Sequence, residues 1–294
     1  MNPQEIDNYR KAGNIAKQVK KYAKQLAEPG SSLLGIAEKI EAKILELGGK
    51  CAFPVNLCID DIAAHYTPSS DDKTTAEGLL KIDIGVHING AIADTAFSID
   101  LSNLEENKKL IEASEKALEE GIKTIREGIE LWKIGKAIQD KIESYQFSPI
   151  RNLCGHSLAE FQIHAGTTIP NCNNSSSNII KPGAYAIEPF ATSGHGIVYD
   201  GKPSGIYRLE ARKAIRDPVA RKILDFVEQE YKTLPFCSRW IVNKFGPRSL
   251  LALHLLEQDE ILHQYPQLIE KSHSKVAQSE NTVILVNNTI EVIT

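Results

Sequence analysis

Paired cysteine motifs, basic runs and long apolar stretches are all missing from this sequence. Its five cysteines, Cys51, Cys58, Cys154, Cys172 and Cys237, include no C-x-x-C pair. An odd, scattered set reads as free thiols of a reduced, cytoplasmic compartment. Lysine and arginine form no long run, and 34 basic against 38 acidic residues give a net charge of −4. Neither DNA nor an anionic membrane is therefore expected as the main partner. The opening, MNPQEIDNYRKAG, lacks the apolar core of a signal peptide. No apolar run approaches the roughly 20 residues of a membrane span. The Asn-x-Ser/Thr sequons at Asn173, Asn174 and Asn287 consequently carry no weight. What remains is 42% hydrophobic and 24% charged over 294 residues, enough for one large domain or two modest ones.

Apolar periodicity predicts the same helix pair twice. Ile6, Ala12, Ile15, Ala16, Val19, Ala23 and Leu26 recur at helical spacing over residues 5–27, and EPG at 28–30 breaks the pattern. Leu33, Ile36, Ile40 and Ile44 then form one stripe, ended by Gly48-Gly49. Residues 105–127 predict a third, charged helix. After it, Gly128, Leu131, Ile134, Ile138 and Ile142 repeat Gly30, Leu33, Ile36, Ile40 and Ile44 at one constant offset. That repetition predicts an α+β fold with internal pseudo-symmetry and a site between the halves. Short β pieces follow, AYAIEPF (184–190) and TVILVNNTIEVI (282–293). Residues 209–263 between them read as helical and inserted.

The segment KIDIGVHINGAIADTAFSI (81–99) carries an Asn89-Gly90 hairpin signal. With those two residues as the turn, Ile88 opposes Ala91, Val86 opposes Ala93 and Gly85 opposes Asp94. Ile82, Ile84, Val86 and Ile88 then share the buried face. Asp83 and Asp94 become diagonal neighbours on the other, roughly 7–8 Å apart. Gly85 leaves a gap beside them. Two carboxylates over a gap repel unless a proton or a cation sits between them. A solvated face is one reading; a hard or borderline divalent metal is the other. His156 in GHSLAEF, Glu188 in the apolar AYAIEPF and Glu280 in VAQSENTVIL are candidate partners.

In that order and in those contexts, Asp83, Asp94, His156, Glu188 and Glu280 resemble the metal-binding set of the methionine aminopeptidases. The wider family has the "pita-bread" fold and includes the proline-specific peptidases. FPVNLCIDDIAAHYTP (53–68), KIDIGVHINGAIADTAFS (81–98), GHSLAEFQIHAGTTIP (155–170) and YAIEPFATSGHG (185–196) are similar to type II members. So is a helical insertion before the last ligand. No long N-terminal extension is seen, as in the compact archaeal members. The resemblance implies one pita-bread domain of peptidase family M24 over residues 1–294, with pseudo-two-fold symmetry and a helical insertion at roughly 205–265.

By that resemblance, Asp83 binds one divalent ion, His156 and Glu188 bind a second, and Asp94 and Glu280 bridge the pair. Such ions sit about 3.5–4 Å apart and activate a shared water, which attacks the first peptide carbonyl. Co, Mn, Fe and Zn all suit the donors. Glu188 could also act as general base. His164 stabilises the oxyanion, and His65 contacts the scissile amide or the leaving group. Phe53, Ile163, Tyr265 and Leu268 resemble the apolar wall that grips the methionine side chain, with plain core as the alternative. The implied work is removal of initiator methionine from nascent chains, with a small second residue preferred. The implied actor is a cytoplasmic monomer; ribosome association follows from the work but has no visible motif.

Four positions depart from the common pattern: Asn281 for His, Phe161 for Tyr, Asp60 for Asn and His195 for Lys. None is a proposed ligand. Two rivals remain. A non-catalytic binding protein of this fold would be expected to lose ligands. An Xaa-Pro aminopeptidase would share the five but differ in the local motifs.

Overall fold

The structure is a computed structural model describing residues 1–294. Its first half runs α1 (Pro3–Leu26), α2 (Leu33–Glu46), β1 (Lys50–Cys51), β2 (Asn56–Ile59), β3 (Ile62–Ala64), β4 (Leu79–Ile88) and β5 (Ala91–Asp100). The second half begins again with a helix pair, α3 (Glu105–Thr124) and α4 (Leu131–Ser144). Strands β6 (Ser148–Pro149), β7 (Cys154–Leu158), β8 (Thr168–Pro170), β9 (Gly183–Ile187) and β10 (Phe190–Thr192) follow. A long β11 (Val198–Leu209) leads to α5 (Pro218–Glu230), β12 (Phe236–Cys237), α6 (Ser238–Phe245) and α7 (Ser249–Gln258). The chain closes with β13 (Leu262–Glu270), β14 (Val276–Gln278), β15 (Asn281–Val286) and β16 (Thr289–Val292). No helix is long and apolar enough to cross a membrane.

Each helix pair covers one sheet. α1 starts at a capping box: Asn2 Oδ1 accepts from the Glu5 amide, and the Glu5 carboxylate accepts from the Asn2 amide. Its Ala12, Ile15, Ala16, Val19 and Ala23 are buried with Ile36, Ile40 and Ile44 of α2 against Ile82, Ile84 and Val86 of β4. In the other half, Leu110, Ala113 and Ala117 of α3 and Ile134, Ile138 and Ile142 of α4 pack on Tyr185, Ile187, Val283 and Leu285. The sheets are β1 and β2 on one edge of β4 with β5 on the other, and β16-β15-β9-β7-β8. This is the pita-bread architecture, and the sequence repeat is its pseudo-symmetry.

The β4–β5 hairpin has the expected register, with Ile88 opposite Ala91, Val86 opposite Ala93 and Gly85 opposite Asp94. Asn89 (φ 51°) and Gly90 (φ 88°) are both left-handed, as a two-residue hairpin turn that matches strand twist requires. Other expectations shift. AYAIEPF is not one strand, because β9 stops at Ile187 and β10 begins at Phe190, with Glu188-Pro189 between. Proline has no N–H for the ladder, so strand pairing is interrupted there. TVILVNNTIEVI is a hairpin whose turn, Asn287-Asn288, is again left-handed (φ 50° and 58°). The span 205–265 holds α5–α7, whose Ile223, Leu224, Val227, Ile241, Leu253 and Leu256 form a separate small core. It also takes in the end of β11 and the start of β13, which pair with each other.

Candidate metal centre

Asp83 and Asp94 enter the site from the paired strands β4 and β5. His156 comes from β7, Glu188 from the β9–β10 break and Glu280 from the β14–β15 junction. Strand pairing brings these to one place. Glu280 and Ala96 exchange backbone hydrogen bonds, the Glu280 amide donating to the Ala96 carbonyl at 3.0 Å and the Glu280 carbonyl accepting from the Ala96 amide at 3.4 Å, which locks the second half onto β5. His156 pairs with Ala186 on β9, two residues from Glu188. All five side chains line one cavity of about 80 Å³. Ligand atoms of Asp94, His156 and Glu280 lie within 4.8 Å of one another. His156 Nε2 is 3.5 Å from Glu188 Oε1 and 3.8 Å from Asp94 Oδ2.

The electrostatics of this cluster are unfavourable without a cation. Burial pushes Asp83 up to about 7, opposed by the side-chain amide of Gln278. Burial and the neighbouring carboxylates hold Asp94 and Glu280 well above the usual carboxylate range; burial and Asp83 do the same for Glu188. Burial pushes His156 down to about 3, so its imidazole is neutral. Asp83 Oδ1, Asp94 Oδ1 and His156 Nδ1 are buried with no hydrogen-bond partner. Folded proteins rarely leave such atoms unpaired. Carboxylate oxygens around a neutral imidazole are the donor set of a hard or borderline divalent metal, and these residues fit one.

Phe53, His65, Ile163, His164 and Tyr265 line the same cavity. The gap beside Gly85 is filled from above: a Cβ there would stand 2.4 Å from Phe53 Cδ1. His65 holds a left-handed backbone (φ 64°), a strained conformation that points its ring inward. Its Nδ1 lies 3.2 Å from the Pro266 carbonyl, so Nδ1 carries the proton and Nε2 is an acceptor. Burial lowers its pKa to about 4. His164 stands edge-on to His156, with ring centroids 4.5 Å apart. Leu268 is not in this lining. It pairs with Ala64 and Asp200 in the sheet and packs against Ala63, Phe190 and Val198.

Asn56 and Gln278 also line the cavity, and sequence reasoning passed them over. Asn56 stands directly opposite Asp83 in the β2–β4 ladder. The signal was a neutral amide in an apolar strand, visible only once that register is known. Of the departures, Phe161, Asp60, His195 and Asn281 all lie outside the lining. His195 is exposed, and Phe161 packs edge-on to His87.

A pita-bread fold with a buried carboxylate and imidazole cluster between its halves defines a metal-dependent hydrolase. A model of metallopeptidase family M24 matches residues 7–221, and the chain belongs to that family. It is 43% identical to a methionine aminopeptidase of Methanocaldococcus jannaschii and 45% identical to one of Pyrococcus abyssi, each over 99% of both chains. A methionine aminopeptidase 2 of Sclerotinia sclerotiorum is 36% identical over all of this chain and 71% of its own length. Among solved structures, a thermophilic Arx1 superposes with a TM-score of 0.89 at 17% identity, covering 100% of this chain and 91% of its own. A methionine aminopeptidase from Thermotoga maritima gives 0.71 at 20% identity, with 100% and 98% covered. Those two likenesses speak to the fold alone.

Proposed function

We propose that this chain removes the N-terminal methionine of peptides and proteins by metal-dependent hydrolysis of the first peptide bond. The observation that carries the reading is the convergence of Asp83, Asp94, His156, Glu188 and Glu280 on one cavity that His65 and His164 also line. Asp83, Asp94, His156, Glu188 and Glu280 would together hold two divalent ions. Two divalent cations balance the four buried carboxylates in charge. Bound ions supply Lewis acidity and a nucleophilic water at neutral pH.

The chain's own groups do the rest. Phe53, Ile163 and Tyr265 form an apolar wall for the methionine side chain. His65 Nε2, an acceptor, takes the scissile amide N–H. His164 donates to the oxygen on which negative charge develops. Glu188 takes and returns the proton of the attacking water. Residues 1–294 act as one catalytic domain, with α5–α7 as the inserted helical part. Nascent chains with a small second residue are the natural substrates, met in the cytoplasm by a monomer.

The test is methionine release from Met-Ala-Ser by chelated protein, with and without Co, Mn, Fe or Zn. Release restored by metal and lost in Asp94→Ala supports the reading. A folded, metal-loaded chain that releases nothing leaves the non-catalytic rival. Preference for Xaa-Pro over Met-Ala would favour the proline-specific one. Calorimetric titration of the chelated chain reads stoichiometry directly, with two ions per chain expected.

A further inference from the structure

Ile163 and His164 line the cavity, yet neither amide donates to a backbone carbonyl. The place of His164 is therefore set by the chain on either side of it. On one side the Ala165 amide donates to the Ser157 carbonyl at 2.9 Å. On the other lies a tight turn, in which the amides of Ala159 and Gln162 each donate to the other's carbonyl at 3.0 Å. Glu160 and Phe161 form its corner. Phe161 is left-handed (φ 55°), a strained conformation for so large a side chain.

Contacts from outside the turn hold Phe161 in that conformation, and they come from two elements. From the β4–β5 turn, the Gly90 carbonyl accepts from the Phe161 amide at 3.0 Å. The ring lies so close to Gly90 that a Cβ there would stand 2.5 Å from Phe161 Cδ2. From the helical insertion, the Lys232 ammonium stands over the ring, 3.5 Å from its centroid, and the Thr233 hydroxyl donates to the Phe161 carbonyl. Lys232 is itself left-handed (φ 56°) and closes α5. Its amide and that of Tyr231 both donate to the carbonyl of Val227, which is buried in the insertion's own core. We infer that Phe161 is a positioning residue for His164: pinned by Gly90, Lys232 and Thr233, it fixes the turn from which His164 reaches the cavity. The end of α5 thereby acts on the reaction from outside the cavity. The inference rests on the aminopeptidase reading, in which His164 donates to the developing oxyanion, and adds what holds that donor in place.

The experiment measures kcat and KM for Met-Ala-Ser on the metal-loaded wild type, Phe161→Leu, Phe161→Tyr and Lys232→Met, each with His164 present and with His164→Ala. Leucine keeps apolar bulk without a π face, and tyrosine keeps the face. Lys232 is exposed, so Lys232→Met removes the charge without touching the core. Phe161→Leu lowers kcat about tenfold or more, because a donor displaced by about 1 Å loses most of its hold on the transition state. Lys232→Met lowers kcat by a smaller factor, and Phe161→Tyr retains most of it. In the His164→Ala background none of the three changes kcat by more than about twofold, since the residue they position is gone. Amide hydrogen exchange of the chelated chain reads the same clamp without turnover: over residues 159–166 it quickens about tenfold in Phe161→Leu, while β4 and β5 keep their protection. Equal losses with and without His164 would overturn the inference, since Phe161 would then act through the fold or through Ile163. Unchanged kcat in Phe161→Leu, or unchanged exchange over 159–166, would overturn it too. Any of these in a chain whose wild type releases methionine removes this inference alone. A wild type that releases none removes the aminopeptidase reading with it.

Discussion

Thr282 and Asp94 hold each other by the backbone: the Thr282 hydroxyl accepts from the Asp94 amide at 2.7 Å and donates to the Asp94 carbonyl at 2.8 Å. Thr282 is fully buried on β15 and Asp94 lies on β5, so this clasp joins the two halves of the fold at a proposed ligand. One side chain fixes both the domain seam and the position of Asp94.

Thr282→Val keeps the shape and removes the clasp. It leaves a buried N–H and a buried carbonyl of Asp94 short of a partner, which costs about 1–3 kcal/mol. The expected result is a lower urea midpoint with an unchanged slope. Metal affinity, read by calorimetry, should fall about 10-fold because the ligand loses its support. Thr282→Ser keeps the hydroxyl and should retain most of both.

A second clasp joins α2 to α6. Arg239, 1% exposed, donates from Nη1 and Nη2 to the Glu41 carboxylate at 2.7 and 2.8 Å, and Trp240 Nε1 donates to the same group at 2.9 Å. Glu41→Ala strands a buried cation and should cost about 3–5 kcal/mol. Replacing both partners by leucine and methionine should cost far less. Equal denaturation midpoints for the single and double variants would refute this.

The readable parts of the sequence were those governed by short-range rules. Asn89-Gly90 fixes the hairpin, period two fixes its faces, and Asp83 and Asp94 follow as neighbours. β11 was missed because Gly201, Pro203 and Gly205 look like breakers; the structure absorbs them in register shifts against β13. Tyr265 and Leu268 show how strand phase separates two residues of one expected wall. They are three residues apart on one strand, and a strand turns such residues to opposite sides, so only Tyr265 reaches the cavity. Asn56 and Gln278 became visible only through long-range pairing, which no local pattern encodes.

His87 should make the fold acid-sensitive. It is buried, its Nδ1 accepts from the Gly90 amide at 3.2 Å, and its pKa is lowered from 6.5 to about 4. Burial is the main cause, with Lys50 and Lys232 adding to it against Glu230. Between pH 6.5 and 4 the unfolded chain binds the proton and the folded one does not. Stability from this group is therefore complete above pH 6.5 and falls as pH drops towards 4, by at most about 3 kcal/mol. Urea unfolding at several pH values should give a shallower acid slope for His87→Gln than for the wild type. Parallel slopes would refute the assignment.

Gly85 and Phe53 give the sharpest prediction about the cavity. A Cβ on Gly85 would stand 2.4 Å from Phe53 Cδ1, far inside contact distance. Gly85 pairs with Asp94 of β5 on one side and its carbonyl accepts from the Ala52 amide at 2.9 Å on the other, so the ring must yield. Phe53 lines the cavity, and a displaced ring takes space from the substrate's first side chain. Gly85→Ala should raise KM for Met-Ala-Ser about tenfold or more and cost about 1–3 kcal/mol in stability from overpacking. Adding Phe53→Leu removes the clash while leaving an apolar wall, so it should recover the stability and much of the KM. If Gly85→Ala binds substrate normally, the ring has moved away from the cavity and Phe53 does not form its wall.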